Sequence, residues 1–370
     1  MQQEIGYAII GTGYFGKRLA EIINNMQGAR VKAIYDPDNY KEVTMELECD
    51  VEPSVDSLVK RGDVDAVVVS SPNYLHKSSV LKAAEQKKDI FCEKPIALSY
   101  KDCQDMINST NNNNVIFMAG HVMHFMNGVK KVKSLINQGE IGEVLFCHAS
   151  RTGWKERNSN NIPTWKDFNK FSGGQLYHHI HELDFVQFIM GPAKKVYMSG
   201  GNVAHHDKNS GDENDLLLMT LEFENNSFAT LKYGSAFRHG EHYVEIQGTK
   251  GSILIDLQDA RVIVKTLDRK YHYLLHESAE EDEDRRRIYS NSQTDGGIVH
   301  GKPTDKPPEW LNSIMKKEMH YFHSLIDGAT PDSEYVSLTN GIAASNAIAT
   351  ADALTLSLQE DKKVNIEEIF

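Results

Sequence analysis

A chain of 370 residues is longer than one hydrophobic core ordinarily supports, so two domains are the expectation. Its 40% hydrophobic and 25% charged content is that of a globular protein, and a formal charge of −12 argues against a nucleic-acid or anionic-membrane surface as the main partner. No apolar run reaches the length of a membrane span, no secretory leader pattern precedes the first strand, and Cys49, Cys92, Cys103 and Cys147 are scattered without a CxxC pair. The expectation is a cytoplasmic protein with reduced thiols, no membrane association and no zinc ribbon.

The chain opens with "YAIIGTGYFGKRLAEII", a short apolar strand, a glycine-rich turn and an amphipathic helix. Gly11, Gly13 and Gly16 stand in GxGxxG spacing, which serves a tight turn, close approach of a pyrophosphate to the backbone, and close packing of helix on strand. Tyr14 and Phe15 lie within that turn. The next strand, "ARVKAIYDPD", ends at Asp36, twenty residues past Gly16, where a carboxylate accepts from both adenosine ribose hydroxyls and repels a 2′-phosphate. The cofactor expected is therefore NAD rather than NADP. "VDAVVVSSP" reads as a fully buried parallel strand, "NYLHKSSVLKAAEQKK" as a helix, "DIFCEKPIAL" as a strand with its exit, and "NVIFMAGH" as a sixth strand. The four asparagines at 111–114 read as a loop tip. Ligands of such doubly wound sheets bind beyond the carboxyl ends of the strands, so Ser71, Asn73, His76, Glu93 and Lys94 are cofactor-site candidates by position.

From about residue 143 the texture changes to alternating strands separated by turn signals such as "ENNS" and "GTKG". The fold class expected is α/β: an N-terminal Rossmann doubly wound parallel sheet, then an α+β domain with a large, mostly antiparallel, open-faced sheet. Residues 1–122 are assigned to the NAD-binding domain and 123–370 to a substrate-binding and oligomerisation domain, with a closing helix near 338–358 packing back on the first. "RTGWKERNSNNIPTWKDFNKFSGG" reads as a long loop at the pocket rim, where Arg151, Trp154 and Trp165 suit a carbohydrate. Arg238, His239 and His242 are further rim candidates. Residues 266–316, with an acidic run followed by three arginines, read as a solvated excursion, the alternative being a lid or intersubunit arm.

With "GTGYFG", "SSPNYLH" and "CEKP" in this order, the chain resembles the Gfo/Idh/MocA oxidoreductase family. "GHVMHFMNGVKKVKSLINQGEIGEV" is similar to that family's linking helix, "SGGQLYHHIHELDFVQFIMG" to its GG…HxxD helix, and "YVEIQGTKGSILID" to its late hairpin. "NGIAASNAIATADALTLSLQEDKKV" is similar to its closing helix. The resemblance implies that Lys94 is catalytic, holding the reacting oxygen, and that the Lys94–Pro95 bond is cis. It maps the second catalytic position to His181, and it implies a homodimer or homotetramer through the open sheet face. A histidine suits the base, since its ordinary pKa near ~6.5 lets it exchange protons at neutral pH.

On a continuous helix, Tyr177, His181 and Asp184 of "YHHIHELD" share one face, and Asp184 is spaced to orient the His181 ring. His179 and His181, two apart, cannot chelate together, and no HExxH spacing occurs, so no metal is expected. The chain departs from sugar-alcohol members of the family, which carry Asp where Tyr177 stands and Gly where His179 stands. His124 stands where many members have Arg. His121, His124 and His178 join Arg151, Trp154 and Trp165 as substrate-binding candidates.

The leading functional expectation is NAD-dependent oxidation or reduction of a secondary hydroxyl of a sugar, cyclitol or related polyol. Lys94 polarises the oxygen, and His181 handles the proton with Asp184 or Tyr177 tuning it. Two alternatives follow from the resemblance: a redox-neutral NAD-dependent enzyme that cleaves glycosides or eliminates groups, and a non-catalytic nucleotide-binding sensor.

Overall fold

The computed structural model describes residues 4–38, 40–155, 163–206, 211–291 and 306–370. The chain groups into two units, the first built mainly from residues up to Val122 with Leu311–Ser345, the second from Met123 onward with Asn346–Phe370. In the first unit, β1 (Ile5–Ile10), β2 (Ala29–Tyr35), β3 (Asp50–Val51), β4 (Ala66–Val69), β5 (Asp89–Glu93) and β6 (Phe117–Gly120) form one parallel sheet in the order β3-β2-β1-β4-β5-β6. β1 and β4 are buried at every position, because a central parallel strand is covered on both faces and its sequence runs apolar without alternation. The strand order reverses between β1 and β4, the switch point outside which such sheets bind their ligands.

The helix Glu309–Ile326 lies against this sheet. Its Phe322 meets Tyr7 of β1 and Phe91 of β5 at 6.4 and 5.8 Å between ring centroids, and His323 Nδ1 stands 2.9 Å from the Tyr7 hydroxyl. The asparagines expected at a loop tip instead finish a helix, Tyr100–Asn113. Asn113 donates to the Ser109 carbonyl, and Asn114 stops the helix in the left-handed region (φ 54°) that asparagine tolerates.

The second unit carries a nine-stranded sheet of β7 (Val144–Trp154), β8 (Lys195–Gly201), β9 (Leu216–Glu222), β10 (Phe228–Gly234), β11 (Ala236–Gly248), β12 (Gly251–Asp256), β13 (Arg261–Thr266), β14 (Lys270–Leu274) and β15 (Val364–Asn365). Its order is β14-β13-β12-β11-β7-β10-β9-β8-β15, antiparallel throughout except that β10 pairs with β7 in parallel. The alternation seen in the sequence is the alternation of burial: Val196, Met198, Leu217, Met219, Leu221, Ala229 and Leu231 point inward while their neighbours do not.

The α/β architecture is the one the sequence called for, with two local differences. "YHHIHELD" is not one helix: Gly174–His178 ends at His179 (φ −100°, ψ 29°), and Ile180–Met190 starts anew. The shared face expected for Tyr177, His181 and Asp184 is thereby broken, because tertiary partners hold each half separately, Asp352 on Tyr177 and His124 on Asp184. The stretch expected as a solvated excursion contains β14 and a helix, Ala279–Asn291, whose Asp282 and Arg285 are buried. Residues 292–305 of that stretch lie outside the described residues. Among the described residues no helix is long and apolar enough to cross a membrane.

Phe322 is fully buried between β1 and β5. Phe322→Ala is expected to cost about 3–5 kcal/mol. Urea unfolding followed by circular dichroism checks this, and an unchanged midpoint would refute the packing.

Candidate active site

The turn after β1 is built around positions where no side chain fits. Gly11 sits at φ +89°, and a Cβ there would lie 2.6 Å from the Ser71 nitrogen; a Cβ on Gly16 would lie 1.9 Å from the Gly11 carbonyl oxygen. Gly13, by contrast, has nothing within 4 Å of its would-be Cβ. The helix Tyr14–Asn24 starts there with no side-chain cap from Gly13 and no acidic residue in its first turn, so the positive end of its dipole favours an anion there. Tyr14 and Phe15 pack edge to face at 5.3 Å.

Asp36, just past β2, is buried and already oriented. Its Oδ2 accepts from Thr12 N (2.6 Å) and Thr12 Oγ1 (3.0 Å), and its Oδ1 accepts from Asp38 N (2.9 Å). At the end of β4, Ser70 Oγ donates to the Gly11 carbonyl at 2.7 Å, while the buried Ser71 Oγ finds no partner among the described residues. A tight turn, an open Gly13, an uncapped helix start, a placed carboxylate and an orphaned hydroxyl fit a dinucleotide.

Asn73 is buried in the turn before the helix His76–Glu85. His76 has one ring nitrogen 2.9 Å from the Pro95 carbonyl and the other 2.7 Å from the Ser71 carbonyl. Burial lowers its pKa, and a neutral ring donates to only one of the two, so His76 stands between the exit of β4 and the turn after β5 and bonds one of them at a time. The Lys94–Pro95 bond in that turn is cis. Glu93 and Lys94 are half-buried there; burial pushes the Glu93 carboxyl up to about 7 against the pull of the Lys94 ammonium. His121 follows β6 and is buried.

In the second unit, Gly173 and Gly174 both have positive φ, and a Cβ on Gly173 would strike the Tyr177 ring at 2.5 Å. The glycine pair thus seats Tyr177, whose hydroxyl donates to Asp352 on the helix Ile342–Glu360. His178 Nδ1 lies 3.1 Å from the buried Glu213 carboxylate, and the His179 ring stands 5.5 Å from that of Tyr233. His124 and Asp184, both buried, pair at 2.7 Å. His181 is half-buried at the start of its helix.

The next residue, Glu182, is fully buried and is paired by two cationic or ionisable side chains. Arg151 Nη1 donates to it at 3.1 Å, and His242 Nε2 lies 2.7 Å away, with His242 Nδ1 3.0 Å from the Tyr289 hydroxyl. Arg151 and His242 face each other across β7 and β11. Burial works to raise the Glu182 pKa, but Arg151 and then His242 hold it well below the usual carboxylate range. Burial in turn pushes His242 down to about 4. His242, expected at the rim, is therefore a core group, because its strand position turns inward beneath the helix that carries Glu182. Arg238 and His239, in the irregular stretch of β11, are exposed, and the Arg238 guanidinium covers the Trp154 ring at 3.4 Å. Trp165 is half-buried, near the Lys166 ammonium. Among the described residues no cluster of three or more His, Cys, Asp or Glu is arranged to hold a metal ion.

Glu213, Tyr289, Glu318 and Asp352 were not singled out from the sequence, and Glu182 stood there only as a carboxylate of "YHHIHELD" that converges loosely with His178 and His181. Asp352 carried a signal, as a lone carboxylate in the apolar run "ATADALTL"; Glu318 lies among charged neighbours and carried none.

Residues 5–121 match the family model described as "Oxidoreductase family, NAD-binding Rossmann fold", and residues 133–366 the model "Oxidoreductase family, C-terminal alpha/beta domain". The chain belongs to the Gfo/Idh/MocA oxidoreductase family, and its first unit contains the NAD-binding Rossmann domain. It is 53% identical over 369 residues to a 2,7-anhydro-N-acetylneuraminate hydratase of Mediterraneibacter gnavus, covering 99% of this chain and 98% of that one. It is 49% identical over 367 residues to an Escherichia coli K12 protein of the same name, with coverage of 99% and 98%. Among solved structures, levoglucosan dehydrogenase in complex with NADH and levoglucosan superposes with a TM-score of 0.78 at 19% identity, covering 98% of this chain and 100% of that one, a likeness of fold.

Two outcomes follow from the geometry. Asp36→Ala should weaken NAD binding about 10–100-fold, the range for losing hydrogen bonds to a charged group, and narrow the discrimination against NADP; titration calorimetry with both nucleotides measures it, and unchanged discrimination would remove Asp36 from the site. The second concerns Glu182, whose folded pKa lies below its unfolded value near 4.5, so its contribution is present above that pH and is lost as pH falls through the folded pKa. Arg151→Met should cost about 3–5 kcal/mol near neutral pH by stranding the carboxylate, with the deficit shrinking as the carboxyl is protonated in acid. Urea unfolding at neutral and acid pH tests it; a deficit independent of pH would contradict the pairing.

Proposed function

Starting from membership of this family, we propose that the chain is an NAD-dependent, redox-neutral hydratase that opens the anhydro bridge of 2,7-anhydro-N-acetylneuraminate. The observation that carries this reading is the identity of 53% and 49%, along 99% of this chain, to two relatives that bear that hydratase name. It supports the redox-neutral alternative more than net oxidation of a polyol.

Adding water across a ketal bridge leaves the oxidation level of the substrate unchanged. NAD, when bound, supplies reversible two-electron acceptance at a hydroxyl-bearing carbon, which is a ketone in between. The residues hold oxygens and move protons. The Lys94 ammonium holds the oxygen on that carbon and steadies its alkoxide, and His181 takes the hydroxyl proton and later returns it. The methylene between the ketone and the ketal carbon becomes acidic, and Tyr177 takes its proton while passing its own phenolic proton to the Asp352 carboxylate, to which it is already directed. The bridging oxygen leaves the ketal carbon with a proton, and water adds there. The methylene regains its proton, and the ketone returns to the alcohol, for a net gain of one water. Asp184, paired with His124, fixes the helix that carries His181. Arg151 serves the site through Glu182 instead of meeting substrate at the rim. The exposed face of the large sheet, with Leu218, Phe228 and Leu274, is the surface we assign to a homodimer or homotetramer.

The test is to incubate NAD-loaded protein with 2,7-anhydro-N-acetylneuraminate in deuterated water. Hydrated product bearing deuterium at the methylene, without net reduced nicotinamide, is expected. Lys94→Ala should lower turnover by about 10²–10³-fold or more with NAD affinity largely kept. Accumulation of reduced nicotinamide with a polyol, and no hydration, would return the protein to the dehydrogenase reading.

A further inference from the structure

The helix Glu309–Ile326 brings a second carboxyl to the Glu93–Lys94 turn. Phe322 packs on Phe91, and His323, one residue on, reaches Tyr7 of β1. Tyr7 is level with Ala66 of β4, and Ala66 with Asp89 of β5, so Tyr7 stands nearer the amino edge of the sheet than Phe91 does. The helix therefore runs from the carboxyl edge toward the amino edge, antiparallel to the strands. Glu318 precedes Phe322 by four residues, a rise of about 6 Å, and Glu93 follows Phe91 by two, a rise of about 6.6 Å, on the same face of β5. The two carboxyls are thus in register at the carboxyl edge.

Glu318 is 1% exposed, and its Oε1 has no hydrogen-bond partner among the described residues. A buried carboxylate with an unpartnered oxygen beside a second carboxylate is untenable; as an acid, the same group becomes a donor. We propose that Glu318 carries a proton and donates it in a hydrogen bond to the Glu93 carboxylate, which makes Glu318 a positioning residue for Lys94. The cluster then holds one negative charge, on Glu93, matched by one positive charge, on Lys94. With both carboxyls ionised, Lys94 would be drawn back toward the pair and away from the reacting oxygen.

The electrostatics run the same way: burial and then Glu93 push the Glu318 pKa well above the usual carboxylate range, while burial raises Glu93 and Lys94 opposes the rise. Two like carboxyls at such a site share a proton and titrate as a unit. Lys94 in the turn after β5 and the two carboxyls themselves are the charged groups that bear on this pair.

The inference rests on the role proposed above for Lys94, and its test separates the two. In NAD-loaded protein at neutral pH, infrared spectroscopy of wild type is expected to show the carbonyl stretch of a protonated carboxyl that Glu318→Gln abolishes, whatever the enzyme's reaction. A band that survives the substitution, or no such band in wild type, overturns the proposal. In the hydration assay, Glu318→Gln, which keeps a neutral donor, should turn over within about threefold of wild type. Glu318→Leu, similar in volume without a donor, should lose about tenfold or more in kcat with little change in KM. Equal impairment of both variants, or full activity of the leucine variant, would also overturn it, and if the leucine variant fails to fold the infrared comparison decides.

Discussion

Between the first turn of the opening helix and the end of β4 there is no room for a single methyl group. A Cβ on Gly16 would meet the Gly11 carbonyl at 1.9 Å, and one on Gly11 would meet the Ser71 backbone at 2.6 Å. Everything at the nucleotide end follows from that closeness. It aims the uncapped start of the helix across the switch point of the sheet and brings the end of β4 alongside the turn. Through His76 it also adjoins the turn that carries Glu93 and Lys94, since that ring stands between the Ser71 and Pro95 carbonyls and donates to one of them. A chain of short contacts thus leads from the nucleotide turn to the turn of an ammonium group far along the sequence.

The second unit works by a different constraint. Its helices carry buried polar groups that are tolerable only when paired: Glu182 by Arg151 and His242, Asp184 by His124, Tyr177 by Asp352, His178 by Glu213. Each pairing crosses from a helix to a different element, so the helices on either side of His179 are anchored by side chains as well as by their own hydrogen bonds. Buried pairs of this kind specify a geometry more than they add stability. That suits a site in which protons must be given and taken at defined atoms.

A fold shared with sugar dehydrogenases lends itself to hydration because oxidation at one carbon acidifies its neighbour. For the proposed hydration the demands would differ from those of net oxidation: the protein would have to retain the cofactor through the cycle and manage a proton on carbon as well as one on oxygen. On the hydration proposed here, the tyrosine and the added histidines in "YHHIHELD" are the residues to which that difference would be traced.

By itself the sequence determined most of the strands, the doubly wound class of the first domain and the nucleotide turn. Glycine spacing, unbroken apolar runs and two-residue alternation are local consequences of backbone sterics and burial, readable without neighbours. It also determined the family, through motifs spread along the whole chain. Only the tertiary structure decided what each polar side chain faces. Glu318 reads as one charge among "MKKEMH", and only the antiparallel run of its helix on β5 sets it against Glu93. His242 reads as a rim residue until β11 turns it under Glu182, and the single helix expected for "YHHIHELD" breaks at His179 because Tyr177 and Asp184 answer to different elements. Periodicity tells which face of an element a residue is on, but the partner on the other side of that face is a long-range fact, and it sets the protonation and reach of every titratable group here.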